Sequence, residues 1–518
     1  MKKLPIGIQT FAKIIKGDFV YIDKTPMIAK LLDGSGRYFL SRPRRFGKSL
    51  LVDTLKELFE GNQSLFQGLY IENKWDWNQH FPVIKIDFTR GGIQQKSQLD
   101  EDLHLQLDQN QQILNLNIEH HSDPAIRFTR LIQAAVEHYQ QQVVILIDEY
   151  DKPILDNIER LDVAAEVREA LKSFYSVMKN QDAYIRFIFM TGVSKFSKVS
   201  LFSGLNQLED ITLDSDYSTL CGYTEQDLQG TFAKHLQGAD WQKLKLWYNG
   251  YHFDGDTVYN PYDILLFISK GHRFRSYWFE TGSPSFLLKL FKQQQYFLPQ
   301  LEQLEVGEEI LDSFDIERID PITLLFQTGY LTLDEICETD FGDLSYRLKV
   351  PNQEVRSALN THFIQAYGEL DSSTMQWRKD IFQVLNTGDL EGLEKQITRL
   401  FAAIPWRNFT HNDLPEFEGY YASVLYAFFA SMNAIVIPED ISLRGQADMT
   451  VIVGDYIYVM EFKRDTSTDY QALQPNPALE QIQQQQYAAK YQSSGKTVFQ
   501  VGMIFNTQVR NLVQMDWL

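Results

Sequence analysis

A basic segment that ends in Gly-Lys-Ser, within residues 37–59, most constrains what this chain can fold into. The apolar run 38–40 predicts a strand, Pro43 ends it, and leucines then recur at helical spacing from 51 to 58. A strand, a loop and a helix in this order place the N-terminus of the helix at the loop. Backbone N–H groups at such a position bind phosphate.

Gly47, Lys48 and Ser49 match the end of the phosphate loop GxxxxGK[ST], in which the lysine contacts the terminal phosphates and the hydroxyl binds Mg²⁺. The first glycine of that pattern is replaced by Arg42. The arginines of the loop suit phosphate oxygens, but a basic surface turn before an ordinary helix explains the same residues. The predicted nucleotide-binding residues are Arg42, Pro43, Arg44, Arg45, Phe46, Gly47, Lys48, Ser49 and Leu50.

A second segment supports nucleotide binding. The apolar run 143–147 predicts a buried parallel strand, and it ends at Asp148 and Glu149. We expect this strand beside the phosphate-loop strand, with Asp148 holding Mg²⁺ and Glu149 acting on the attacking water. An acidic strand end is common in α/β proteins, but the loop and the strand together predict an ATP and Mg²⁺ site.

Three segments resemble the AAA-ATPase-like family of bacterial and archaeal proteins: residues 41–49, 146–153 and 191–206. In that family the first glycine of the loop is usually missing, and a PD-(D/E)xK nuclease-like domain commonly follows at the C-terminus. The resemblance extends over residues 4 to about 215 and again over about 405 to 510. It also supports a γ-phosphate sensor at Thr191 or Ser194, although Thr191 could equally cap the next turn.

Length and composition bound the architecture. A chain of 518 residues with 44% hydrophobic composition predicts about three folded domains. We expect an α/β fold made of a phosphate-loop ATPase domain with a parallel sheet (1–215), a helical lid and winged-helix-like linker region (216–400), and a restriction-endonuclease-like α/β domain (401–518). In the linker region, 324–333 and 346–350 predict a small β element, and aromatic clusters favour core packing over base stacking.

Charge and cysteine content limit the partners and the compartment. The net charge of −19 argues against indiscriminate coating of nucleic acid, because phosphate backbones are bound by excess Lys and Arg. Residues 1–60 carry twelve Lys or Arg against six Asp or Glu, whereas 401–518 carry seven against twelve. Two cysteines and the lack of a long apolar run predict a cytoplasmic protein with no membrane segment, and self-association stays open.

A hairpin near the C-terminus carries the second predicted site. Strands 447–453 and 456–463 flank a two-residue turn at Gly454 and Asp455. Counting outward from the turn places Asp448 opposite Glu461, and Lys463 falls on the same face because side chains alternate along a strand. Two carboxylates and a lysine there can hold Mg²⁺ or Mn²⁺ and prepare a water for phosphodiester cleavage.

This D…ExK arrangement resembles the PD-(D/E)xK nucleases. The resemblance implies an extra acid at Glu418 and an auxiliary Gln481, with Tyr487 completing a Q-x₅-Y pattern. Such charges on a hairpin normally form a solvated face, but apolar neighbours and the helix–hairpin–helix order favour a nuclease. We therefore expect an ATP-regulated nuclease acting on nucleic acid, with DNA favoured over RNA. The alternative is a nucleotide-dependent switch or sensor whose C-terminal domain binds nucleic acid or protein without cleaving.

Overall fold

The computed structural model describes residues 1–195, 207–278, 287–288, 290–291, 296–302, 304–308, 320–339, 342–368, 374–404, 419–432 and 434–518. The chain forms two compact units. One comprises Met1–Gly282 with Glu305–Asn352, and the other comprises Ser283–Leu304 with Gln353–Leu518. The division into three domains at 215 and 400 stays a prediction. Among the described residues, no helix is both long and apolar enough to cross a membrane.

The first unit is built on a five-stranded parallel sheet with the order β2-β3-β4-β1-β5. Its strands are β1 (Arg37–Ser41), β2 (Val83–Asp87), β3 (Val143–Asp148), β4 (Ile185–Gly192) and β5 (Glu209–Asp210). The prediction that the acidic strand lies beside the phosphate-loop strand is wrong, because β4 pairs with both β1 and β3 and separates them. The ends of β1 and β3 nevertheless share the carboxyl edge of the sheet, where ligands of open parallel sheets bind.

Helices cover this sheet. They are α1 (Phe11–Lys16), α2 (Thr25–Asp33), α3 (Lys48–Phe59), α4 (Lys96–Ile113), α5 (Pro124–Tyr139), α6 (Lys152–Leu155) and α7 (Leu161–Asn180). Helix α3 begins directly after Gly47, and Leu51, Leu55 and Leu58 on its inner face are buried. The apolar spacing that predicted this helix therefore forms its contact with the sheet.

Helix α4 shields the edge of the sheet, although a glutamine-rich sequence such as this one is typical of exposed surface. The Asn110 side chain accepts from the Lys85 amide and donates to the Lys85 carbonyl, both at 2.9 Å, while Gln106 accepts from the Asp87 amide. Strand β2 is an edge strand, so these amide side chains satisfy backbone groups that would otherwise be free to pair with another chain.

The rest of the first unit combines helices with a small sheet. The helices are α8 (Glu225–Gly230), α9 (Trp241–Tyr248), α10 (Pro261–Ser269) and α11 (Pro321–Thr328), and the sheet has the order β6-β8-β7 from β6 (Leu304–Gly307), β7 (Thr332–Glu338) and β8 (Leu344–Lys349). The expected small β element is present, but 321–328 is helical. Asp320 caps that helix by accepting from two backbone amides, and Gly329 ends it at φ +89°.

The second unit holds a mixed sheet with the order β13-β12-β11-β10-β9. Its strands are β9 (Ile435–Ser442), β10 (Gly445–Val453), β11 (Tyr456–Asp465), β12 (Thr497–Asn506) and β13 (Asn511–Trp517). Its helices are α12 (Gln353–Gly368), α13 (Thr374–Thr387), α14 (Leu390–Ala403), α15 (Gly419–Ala430) and α16 (Pro477–Gln485). Helix α16 connects β11 to the parallel strand β12, and Tyr421 of α15 stacks on Phe505 of β12 with ring centroids 4.7 Å apart.

Candidate functional sites

The loop between β1 and α3 is a tight turn that depends on left-handed backbone at two positions. Gly47 has φ +99° and Arg45 has φ +70°, so glycine at 47 relieves a strain that a side chain would add. The Lys48 side chain is 3% exposed, and its ammonium donates to the carbonyl oxygens of Arg42 at 3.0 Å and Pro43 at 3.3 Å. The loop thus folds around the lysine that the sequence singles out for phosphate binding.

Two acids at the end of β3 face this loop. Burial raises the pKa of Asp148 to about 6, and the nearby Ser49 hydroxyl opposes that rise. Glu149 Oε1 lies 3.3 Å from Lys48 Nζ, and its backbone adopts φ +54°, which is unusual for a side chain of this size. The Ser49 hydroxyl and the Asp148 carboxylate are oxygen ligands of the kind Mg²⁺ takes beside phosphates, so this pair fits the metal.

A cleft of about 320 Å³ opens beside the loop. Seven of the predicted residues line it: Arg44, Arg45, Gly47, Lys48, Ser49, Leu50 and Glu149. Its other walls include the N-terminal segment 5–9 and α10, which lie far apart in the sequence. Motif spacing gave no indication of these walls, because they come together only through the fold.

The Arg42 side chain has a different role from the predicted one. It is completely buried, donates to the carbonyl oxygens of Ser41 at 2.9 Å and Thr212 at 2.7 Å, and stacks over Phe253 at 3.9 Å from the ring centroid. Burial lowers its pKa to about 10. The guanidinium therefore holds the segment after β5 in place rather than facing the cleft. Phe46 is also buried, against Tyr251 at 4.7 Å.

Both candidate sensor hydroxyls have structural partners. Thr191 donates to the carbonyl oxygen of Leu40 at 2.8 Å, and Ser194 donates to Asp151 at 2.6 Å. The buried Asp151 also accepts from the Ser194 amide, so it fixes the turn after β4. The sensor role of Thr191 stays a prediction. Its hydroxyl bonds to the neighbouring strand β1 and does not cap the turn after β4, which Ser194 and Asp151 stabilise.

The C-terminal hairpin has the register that the sequence predicts. Met449 pairs with Met460 and Val453 with Tyr456, so the same ladder extended by one residue puts Asp448 opposite Glu461. Asp448 Oδ2 accepts from the backbone amide of Phe462 at 2.6 Å, which fixes its carboxylate beside the end of β11. The two-residue turn determines this register, because each pairing follows from it by counting.

Glu461 is a buried carboxylate with an unused oxygen. It is 2% exposed, Lys463 donates to Oε1 at 3.1 Å, and Oε2 forms no hydrogen bond with the described residues. Burial, reinforced by the charge of Asp448, raises the pKa of Glu461 to about 7. A buried acceptor beside a second carboxylate is suited to a divalent cation, so Asp448 and Glu461 fit Mg²⁺ or Mn²⁺.

Of the two predicted auxiliary residues, Gln481 and Glu418, the structure describes only Gln481. The Gln481 amide donates to the Tyr487 hydroxyl at 3.3 Å, which links the members of the Q-x₅-Y pattern. Glu418 lies outside the described residues. Among the residues that are described, no group of three or more His, Cys, Asp or Glu side chains is arranged to hold a metal ion.

Helix α16 packs closely beside the Glu461 row of the sheet. Gly502 of β12 pairs with Glu461 on one side and with Asp516 on the other, and a Cβ on Gly502 would lie 2.4 Å from the Leu479 backbone nitrogen. Asn476, the N-cap of the helix, donates to the Gly502 carbonyl at 3.2 Å and to Asp516 at 2.8 Å. Asp516 could not be predicted from the sequence, because only strand pairing places it in this row.

Comparisons with known proteins agree with both expected domains. A family model described as "Predicted AAA-ATPase" matches residues 5–202, and a model of the PD-(D/E)XK nuclease superfamily matches residues 416–515. A curated protein of Azotobacter chroococcum mcd 1, described as "Uncharacterized protein in vnfD 5'region", is 44% identical over 513 residues, which are 99% of this chain and 98% of the relative. No solved structure matches. The chain therefore belongs to the AAA-ATPase-like family and carries a C-terminal domain of the PD-(D/E)XK nuclease superfamily.

Proposed function

We propose that the N-terminal domain binds and hydrolyses ATP and that the C-terminal domain cleaves phosphodiester bonds in nucleic acid, with DNA favoured over RNA. The nucleotide state of the first domain controls access to the second. The observation that carries the nuclease proposal is the buried Glu461, beside Asp448 and Lys463, one of whose carboxylate oxygens has no hydrogen-bond partner among the described residues. A solvated surface hairpin would not bury such an acid.

At the nucleotide site, Lys48 provides the positive charge for the terminal phosphates. Its ammonium lies 3.3 Å from the Glu149 carboxylate and also donates to two backbone carbonyls. A phosphate competes for the same ammonium, so its binding frees Glu149 to orient and deprotonate a water. Ser49 and Asp148 would hold Mg²⁺, which neutralises charge that develops on the phosphates.

At the nuclease site, Asp448 and Glu461 would hold the divalent cation, which supplies a nucleophilic hydroxide at neutral pH. Lys463 is 40% exposed at its side chain, so its ammonium can reach both Glu461 and an incoming phosphate. This positive charge stabilises the pentacovalent transition state and positions the attacking water. Gln481, held by Tyr487, lies on the helix that packs beside this row.

A second candidate is the nucleotide-dependent switch, in which the C-terminal domain binds a partner without cleaving it. The acidic balance of 401–518, with seven Lys or Arg against twelve Asp or Glu, favours it over an enzyme that binds long stretches of nucleic acid. A short contact with nucleic acid around the Lys463 site remains compatible with that charge.

The test is a cleavage assay on the full chain. Labelled single-stranded DNA, double-stranded DNA and RNA are incubated with Mg²⁺ or Mn²⁺, with and without ATP. The enzyme proposal expects metal-dependent cleavage of at least one substrate and a rate that changes with ATP. Binding without cleavage in every metal and nucleotide condition would favour the switch.

A further inference from the structure

The cleft beside the phosphate loop is lined by two chemically different sets of side chains. Lys48, Ser49 and Glu149 are polar and suit phosphate and metal. Another set is apolar or aromatic and comprises Pro5, Ile8, Ile14, Pro261, Tyr262 and Leu265. A volume of about 320 Å³ lies within the range of ligand clefts, which reach down to about 300 Å³. A nucleotide has the same division between a charged tail and a flat apolar base.

Backbone hydrogen bonds fix the aromatic wall relative to the phosphate loop. The Gly222 amide donates to the Phe46 carbonyl at 3.1 Å, which ties the loop to the segment before α8. Tyr223 and Tyr259 then exchange two backbone bonds, at 2.8 and 3.1 Å. Tyr259 is two residues before the first residue of α10, so these bonds hold the start of that helix near the loop.

Tyr262 is held at the start of α10. Asn260 caps this helix by accepting from the Tyr262 amide at 2.9 Å, and Asn260 is completely buried. The guanidinium of Arg45 lies 4.9 Å from the centroid of the Tyr262 ring. One aromatic side chain therefore contacts a cation of the phosphate loop and also lines the cleft.

The N-terminal segment supplies the facing wall. Gly7 turns the chain at φ +70°, and the Ile8 amide donates to the Pro5 carbonyl at 3.2 Å. The Phe11 amide donates to Asp53 of α3 at 2.7 Å. The segment is therefore attached to α3, the helix that follows the phosphate loop. Gln9 lies between Ile8 and that attachment and lines the cleft.

We propose that Tyr262 stacks on the base of the bound nucleotide and that Gln9 reads its edge, which selects adenine over guanine. The proposal rests on the nucleotide function proposed above. A glutamine amide offers one donor and one acceptor, which match N7 and the N6 amino group of adenine. Guanine presents two acceptors at the same edge, N7 and O6, so only one of the two bonds can form.

The test compares three probes on the full chain in the presence of Mg²⁺: ATP, GTP and inorganic tripolyphosphate, which has no base. Calorimetry gives each dissociation constant. For Tyr262→Ala we expect ATP affinity to fall about tenfold or more, because base stacking on an aromatic ring contributes roughly that factor, while tripolyphosphate affinity stays unchanged. Tyr262→Phe keeps the ring and should bind ATP like the parent chain.

Gln9→Ala should reduce the preference for ATP over GTP and leave tripolyphosphate binding unchanged. Tyr70→Ala is the matched control, because Tyr70 is 51% exposed and does not line the cleft. Equal losses of ATP and tripolyphosphate affinity in Tyr262→Ala, or no loss of either, would overturn the base site. If the parent chain binds none of the three probes, the nucleotide function itself fails. Equal affinity of the parent chain for ATP and tripolyphosphate would overturn the base site alone.

Discussion

At the scale of single residues, Lys48 and Glu149 have separable roles. Lys48→Ala should lower ATP affinity by about 10- to 100-fold, because hydrogen bonds to a charged group contribute about 1.5–3 kcal/mol. Glu149→Gln should keep or slightly raise ATP affinity, since it removes the 3.3 Å competitor of the phosphate, and should slow hydrolysis about 100-fold or more. Calorimetry and a phosphate-release assay measure the two effects. Unchanged ATP affinity in Lys48→Ala would contradict the nucleotide site.

Arg42 and Arg45 form a matched pair that separates a structural role from a binding role. Arg42→Met should destabilise the first unit by about 3 kcal/mol, because it leaves buried carbonyls without a donor. Arg45→Met should leave stability nearly unchanged and weaken ATP binding, with a larger effect as ionic strength falls. Urea denaturation and salt-dependent calorimetry measure these changes. Weaker ATP binding in Arg42→Met together with lower stability in Arg45→Met would show that Arg42, not Arg45, contacts the phosphates.

The raised pKa of Glu461 predicts a pH-dependent stability in metal-free protein. A carboxyl whose pKa rises from 4.5 to about 7 on folding stabilises the fold below pH 4.5, and that stabilisation is lost as the pH rises through 7. Glu461→Gln cannot ionise, so in EDTA it should be more stable than the parent at pH 8, by on the order of 2 kcal/mol.

The comparison needs denaturation curves at pH 4 and pH 8. At pH 4 the two proteins should be nearly equal in stability, because the parent carboxyl is then protonated in both states. A difference that is the same at both pH values would show that the Glu461 carboxylate is not destabilised by its burial.

At the scale of elements, the close approach of α16 to β12 positions the helix beside Gly502, which pairs with Glu461 of the candidate nuclease site. Gly502→Ala puts a methyl group 2.4 Å from a backbone nitrogen of the helix, so we expect a loss of about 1–3 kcal/mol. Gly230→Ala is the control, because nothing lies within 4 Å of its Cβ position. Thermal denaturation distinguishes the two variants. A neutral Gly502→Ala would show that the helix can move away from the sheet.

Elements differ in how far the sequence could predict them. The hairpin register followed from counting, because a two-residue turn leaves one pairing. The strand order β3-β4-β1 did not follow, since motif spacing says nothing about which strand inserts between two others. The role of the amide side chains of α4 did not follow either. They bond to the edge strand β2, and this is a tertiary contact between segments about 20 residues apart.

At the scale of the whole molecule, the sequence indicated the motif residues of the two candidate sites better than the residues that surround them. Lys48, Glu149, Asp448 and Glu461 belong to local motifs, so they could be selected from spacing, and their roles stay predictions. Tyr262 belongs to no motif. It lies more than 200 positions after the phosphate loop, and only the folding of the chain brings it to the same cleft. Neither site could be predicted to bury its acids, since burial depends on all the elements around it.

The central claim is that Asp448 and Glu461 form a metal site that cleaves nucleic acid. The most direct test measures cleavage by the parent chain, Asp448→Ala and Lys463→Ala on the same DNA with Mn²⁺, alongside ATP hydrolysis and Mn²⁺ binding. The account predicts that Asp448→Ala loses cleavage and binds Mn²⁺ more weakly, while Lys463→Ala binds Mn²⁺ normally and cleaves about 100-fold more slowly or worse. ATP hydrolysis should persist in both variants. Cleavage by Asp448→Ala at the parental rate would contradict the account.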